Sequence, residues 1–161
     1  MNNSNRNAGF TITDIIMGMS IIAIAVVGVL SIQNNYVNQA SQIELRTRAV
    51  SLGNAVMSTV RMHRFDENTG IPWTSNANLG SDSESMSGYD DVDDYVDASW
   101  DFSSLGYAGF TVTTRIFYVN IANSWVDSVA GPTDYKRIIV GVNNAELSTP
   151  VRLSTLVGGG Y

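Results

Sequence analysis

The sequence predicts an α+β protein: a long N-terminal helix, membrane-spanning in its first half and amphipathic in its second, packed on a small antiparallel β-sheet head. Three observations predict it. An uncharged apolar run fills Ile15–Ile32, and an apolar stripe at helical spacing follows at Leu45, Ala49, Leu52, Val56 and Val60. The last third of the chain then carries three stretches of alternating β-branched and aromatic residues.

The apolar run is IIMGMSIIAIAVVGVLSI, with Asp14 at its entrance and Ser20 and Ser31 its only polar side chains. As a helix it reaches about 27 Å at about 1.5 Å per residue, close to the thickness of a bilayer's hydrocarbon core. No charged residue follows until Glu44. A buried helix of a soluble protein is the competing explanation. Arg6 precedes the run and no Lys or Arg follows it before Arg46, so the positive-inside bias places the N-terminus in the cytoplasm and the head outside.

The preface to the run is short and polar, MNNSNRNAG, and its small residues Ala8 and Gly9 come before the apolar segment. A secretory signal has the reverse order, with the small-residue cleavage site after its apolar core. If cleavage follows Gly9, the apolar helix stays in the product and begins at Phe10.

From Gln33 to Arg64 there is no proline and one glycine, Gly53, so the helix is expected to run unbroken from near Phe10 to near His63. Glu44 and Arg48 form an i,i+4 pair in the favourable order. The next stretch changes character: ten acidic residues fall from Asp66 to Asp101, and no Lys or Arg lies between Arg64 and Arg115. Gly, Ser and Asn dominate 69–88, which reads as a long loop wrapped over the head and pinned at Trp73, Tyr95, Trp100 and Phe102. Strands are expected at 109–120, 136–142 and 150–157. Their inward positions are Phe110, Val112, Thr114, Ile116 and Tyr118; Ile138, Val140 and Val142; and Val151, Leu153, Thr155 and Val157. Asn143–Asn144 is expected to turn the chain between the last two.

The chain has 161 residues, a formal charge of −6 and no cysteine. That leaves room for one modest head domain, argues against a nucleic-acid partner, and means that something other than disulfides must staple the head. A phosphate-binding glycine loop, a Gly-x-Ser-x-Gly elbow and a thiol nucleophile are all missing, so no enzyme is expected. His63 is the only histidine, which makes a zinc site improbable.

Gly9-Phe10-Thr11-Ile12-Thr13-Asp14 followed by the apolar run resembles type IV pilins and pilin-like proteins. The resemblance implies the type IV pilin fold: a leader at 1–9, a long helix at 10–64 with 15–32 in the membrane, and a head at 65–161. It also implies processing at Gly9 and Phe10 by a prepilin peptidase, with methylation of the new N-terminal Phe10. The protein would be held in the bacterial inner membrane and then assembled with other pilin subunits into an extracellular filament. Phe10 and Asp14 are the implied assembly residues, the carboxylate pairing with the freshly cut amine. Asp14 is one methylene shorter than the glutamate usual there, so its contacts must be rearranged. A helix-start carboxylate at headgroup level is the plain alternative. Many pilins close a C-terminal loop with a disulfide, and many have a proline in the membrane helix; this chain has neither feature.

Arg64-Phe65-Asp66-Glu67-Asn68 and Asp90-Asp91-Val92-Asp93-Asp94-Tyr95 further resemble elements of the minor pilins of the mannose-sensitive haemagglutinin pilus. Asp90, Asp91, Asp93 and Asp94 put four carboxylates within five residues. Hard oxygen donors suit calcium, and some pilin-like proteins bind calcium in this general region, but the EF-hand pattern is missing. A calcium site and a solvated acidic loop both remain open. Three functions follow: a pilus subunit used in adhesion, a type II secretion pseudopilin, or a membrane-anchored calcium- or ligand-binding domain that does not polymerise.

Overall fold

Thr11 precedes a long helix, α1, which runs from Ile12 to Arg61. A computed structural model describes residues 11–80 and 84–160. No proline interrupts the helix, and Ser20, Thr47 and Thr59 turn their hydroxyls back onto the carbonyls four residues earlier, so these polar groups find partners within the helix itself. Its end falls a few residues before the expected His63–Arg64. Met62 and His63 close a final tight turn on Thr59 and Val60, after which Arg64 leaves the helix axis. Arg64 donates its N–H to the Asp90 carbonyl, and Val92 donates to the Arg64 carbonyl (2.8 Å), a parallel bridge that captures the chain at once.

Residues from Gln42 onward form one compact unit, and those up to Ser41 form another. In the first-mentioned unit a five-stranded antiparallel sheet comprises β1 (Ser99–Asp101), β2 (Phe110–Asn120), β3 (Ser124–Ser128), β4 (Tyr135–Asn144) and β5 (Val151–Gly158). The order is β1-β2-β4-β5, with β3 folding back on the end of β2. The expected inward residues of β2 and β4 are buried, and those of β5 are half-buried. The Gln42–Arg61 half of α1 lays Ala49, Leu52, Val56, Met57 and Val60 on Val112, Ile116, Ile138, Val140 and Val142. Gly53 marks the closest approach: a Cβ there would lie 2.7 Å from Leu153 Cδ1 and 3.2 Å from Val142 Cγ2.

Two expectations need correction. Asn143–Asn144 is not the turn: both pair with β2, opposite Thr111 and Phe110. Asn144 instead starts the connection that follows, its Oδ1 accepting the Glu146 N–H at 2.9 Å. That connection is tied to α1 without a disulfide. Gln42 donates to the Glu146 carbonyl (2.7 Å) and accepts the Ser148 N–H (3.3 Å), and Arg46 donates to the Thr149 hydroxyl (3.0 Å). Strands β1 and β3 are additions to the three expected: β1 has only three residues, and β3 has five of which four are exposed, so neither shows an alternating buried face.

The residues up to Ser41 contribute a different surface. The most apolar eighteen-residue window of α1 has a mean hydropathy of 2.7, and none of it is buried within the protein. By length and composition this is one helix able to cross a membrane, near the N-terminus.

Candidate functional site

At the helix start the chain makes a reciprocal cap. Asp14 Oδ2 accepts the Thr11 N–H (3.1 Å) and the Thr11 hydroxyl (2.8 Å), while Asp14 returns its own N–H to Thr11 Oγ1 at 3.3 Å. Thr-x-x-Asp thus works as a capping box, satisfying backbone donors that a helix start leaves open. The short carboxylate suits this geometry, and its charge lies where the helix dipole favours an anion. Gly9 and Phe10 lie outside the described residues.

The second constellation lies under the sheet. Strand β4 alternates with Ile138, Val140 and Val142 inward, and the same parity carries Lys136 inward, where it is fully buried. A buried ammonium must use its donors, and this one uses all three. It donates to the Phe65 carbonyl (2.7 Å), to Asp66 Oδ2 (2.9 Å) and to Asp93 Oδ1. The rings of Phe65 and Tyr118 complete the enclosure, with centroids 4.5 and 5.1 Å from Nζ.

Asp66 is as fully engaged as its partner. Beyond Lys136 it accepts the N–H of Asn68 (3.1 Å), and the N–H and hydroxyl of Thr74 (3.1 and 2.9 Å). The Tyr118 hydroxyl lies 3.0 Å from Asp66 Oδ2 and 2.9 Å from the Thr74 carbonyl. Burial alone would raise the Asp66 pKa; Lys136, then Thr74 and Asn68, outweigh it and hold the carboxyl below its usual value. The Tyr118 hydroxyl is pushed up, by burial first and then by Asp66.

Residues 90–94 fold on themselves. Asp91 Oδ1 accepts the N–H of Asp93 (2.8 Å) and of Asp94 (3.1 Å), and Asp94 Oδ2 accepts those of Asp90 (2.9 Å) and Asp91 (3.2 Å). A 3₁₀ turn at Asp93–Tyr95 results. The picture of a solvated acidic loop is therefore corrected: Asp91, Asp93 and Asp94 are buried, because their oxygens serve backbone donors and Lys136. Only Asp90 faces outward, paired with Arg64. The four carboxylates sought as calcium ligands thus take separate roles, and among the described residues no group of three or more His, Cys, Asp or Glu is arranged to hold a metal ion. Asp91 Oδ2 is buried with no partner among the described residues.

One cation among these acids leaves an imbalance. Burial pushes Asp93 up to about 7 against the pull of Lys136, and the neighbouring Asp91 adds to the rise. Burial raises Asp91 as well. Chemically the cluster is a staple. It fastens the chain leaving α1 (Phe65, Asp66) and the acidic turn (Asp93) to the middle of the sheet, the work a disulfide would do elsewhere.

His63 donates to or accepts from the Tyr95 hydroxyl at 2.9 Å, just beyond the helix end. Trp73 is the buried anchor expected of it, its indole N–H donating to Asp134 Oδ1 at 2.9 Å. Tyr95 stacks on Trp100 with the ring planes 10° apart. Reading by residue type found the acids and missed their cation. The available signal was the parity of Lys136 with Ile138.

Comparison of the chain with models of known protein families, with curated proteins and with solved structures returned no match.

Proposed function

We propose that the chain is a type IV pilin-like subunit. A prepilin peptidase cuts it after Gly9, residues 15–32 hold it in the bacterial inner membrane with the N-terminus cytoplasmic, and it then joins other pilin subunits in an extracellular filament used for surface attachment. Its place in that filament is that of a minor subunit, as in the haemagglutinin pilus it resembles. One observation carries the proposal: α1 holds an apolar eighteen-residue window that buries nothing within its own chain, while its Gln42–Arg61 part is anchored to a sheet. Such a surface needs either lipid or other helices like itself. In moving from one to the other the helix keeps its apolar surroundings, and packing fit with the Asp14–amine pair selects register.

The test is filament recovery. Cells producing the full chain release filaments on shearing that contain it. Cells exporting a chain that starts at Gln33, with the apolar run deleted, release none. Equal recovery from both would overturn the proposal.

A second reading is a membrane-anchored head that binds calcium at residues 90–94 and does not polymerise. What favours it is the buried, unpartnered Oδ2 of Asp91. Calcium titration of the full chain in detergent decides it: a rise in melting temperature that Asp91→Asn abolishes supports the site, and an unchanged melting temperature removes it.

A further inference from the structure

The outward face of the sheet holds a cup floored by a glycine. Register places Thr113, Gly141 and Arg152 side by side on β2, β4 and β5, with Arg115, Ile139 and Ser154 in the next row and Arg137 beyond Ile139. Each of the three strands thus contributes one arginine, all on the same side of the pleat. Gly141 brings no side chain, and a cavity of about 370 Å³ opens above it, lined by these residues. A Cβ at Gly141 would lie 3.3 Å from Thr113 Oγ1, so a larger residue would fill the floor.

The cup is rich in donors. Arg137 donates through Nε to Ser154 Oγ (2.9 Å) and through Nη1 to the Val126 carbonyl (2.8 Å), and its guanidinium carbon lies 4.8 Å from the centre of the Trp125 ring, so one cation is held in place. Ser154 Oγ accepts that bond, which leaves its own O–H to donate elsewhere. Among the described residues, the side chains of Arg115, Arg152 and Thr113 make no hydrogen bond or ion pair. Carboxylates stand back from the cup. Asp101 shares the outward face, but it lies opposite Thr111, four residues along β2 from Arg115 and so about 13 Å away at about 3.3 Å per residue. That exceeds the Debye length of about 8 Å at about 0.15 M salt. Asp101 also accepts the Ser103 N–H (2.8 Å) and hydroxyl (3.1 Å), and Asp127 on β3 accepts the Ser124 hydroxyl (2.8 Å).

We propose that this cup binds a tetrahedral oxyanion, a phosphate or sulfate group, either free or carried as a monoester by a small molecule. A planar carboxylate offers two oxygens and one charge, which a single guanidinium fork satisfies. A phosphate monoester offers three strong acceptor oxygens and a charge approaching about −2, which matches cations and hydroxyls converging from three strands. The floor of Gly141 lets the anion approach the backbone of β4 between Arg115 and Arg152. The inference goes beyond the proposed filament and does not rest on it, because the cup lies wholly on the head.

The full chain in a neutral detergent is titrated with sodium phosphate, sulfate or acetate at constant ionic strength, and the Nε–H signals of Arg115 and Arg152 are followed by NMR. Phosphate and sulfate should shift both signals saturably, and acetate should not. Glucose 6-phosphate and glucose 6-sulfate separate the two sources: tighter binding than the inorganic ions assigns the cup to an ester, weaker binding to the free ion, and either supports the site. Arg115→Gln with Arg152→Gln should weaken binding about tenfold or more, as expected when hydrogen bonds to a charged group are lost. Gly141→Val keeps all three arginines but fills the floor, so it should weaken binding to a similar extent while its melting temperature without anion shows a folded head; Gly141→Ala repeats the test should valine unfold it. Arg61→Gln removes an exposed arginine outside the cup and should change nothing. An equal response to acetate, no saturable shift with phosphate or sulfate, or undiminished binding in the folded Gly141 variant would each overturn the inference.

Discussion

The Lys136 ammonium donates to Asp66 Oδ2 across 2.9 Å, and neither side chain is exposed to solvent. The two residues lie 70 positions apart, one on the strand that centres the sheet and one just past the end of α1. Lys136→Met would remove the cation and leave Asp66 and Asp93 buried together without it. Breaking a buried pair in this way costs about 3–5 kcal/mol. Thermal unfolding of the full chain in detergent should show a large drop in melting temperature. Adding Asp66→Asn and Asp93→Asn should recover part of the loss, which a purely steric role for Lys136 would not allow.

Asp93 gives the head an unusual pH profile. Its folded pKa of about 7 lies above the unfolded carboxylate value, so between the two the folded state holds a proton that the unfolded state has released. Stability from this group is therefore full below about pH 4 and is lost as the pH rises toward 7; Asp91, also raised, acts in the same direction. Asp66 is lowered, so its contribution is present above the usual carboxylate range and disappears on acidification below it. The melting temperature should be higher near pH 5 than near pH 8. Asp93→Asn should flatten that descent while leaving the acid limb in place.

Gly53 sits where the helix presses on β4 and β5. Gly53→Leu would drive a branched side chain into Leu153 and Val142, and overpacking of this kind costs about 1–3 kcal/mol despite the better helix propensity of leucine. Chemical denaturation of the variant should show a lower midpoint. An unchanged midpoint would mean that α1 stands further from the sheet than the 2.7 Å approach implies.

At the helix start, capping and assembly can be told apart. Asp14→Asn keeps an oxygen able to accept from Thr11, so the cap survives at a cost below about 1 kcal/mol. It removes the charge that the proposed pair with the Phe10 amine requires. Helix content by circular dichroism should be unchanged while sheared filaments are lost; normal recovery of filaments would reduce Asp14 to a cap.

Much of the fold was legible because its periods are long. Fifty residues of helix and strands of eight to eleven residues repeat their pattern often enough to be read. β1, of three residues, has no room for a pattern, and β3, of five, leaves four of its five residues exposed, so it has no buried face to alternate with. The acidic turn misled for a different reason. Four carboxylates in five residues look solvated unless their cation is known, and that cation lies 43 residues from Asp93 in the chain. Only the inward parity of Lys136 hinted at it, since a lysine aligned with Ile138 and Val140 must find partners in the interior.

The most direct measurement is the N-terminal mass of the protein in the sheared surface fraction. The account predicts a chain beginning at Phe10, carrying one methyl group on its amine and retaining the whole apolar run Ile15–Ile32. An intact Met1 in every fraction, or a chain beginning after Ile32, would contradict it.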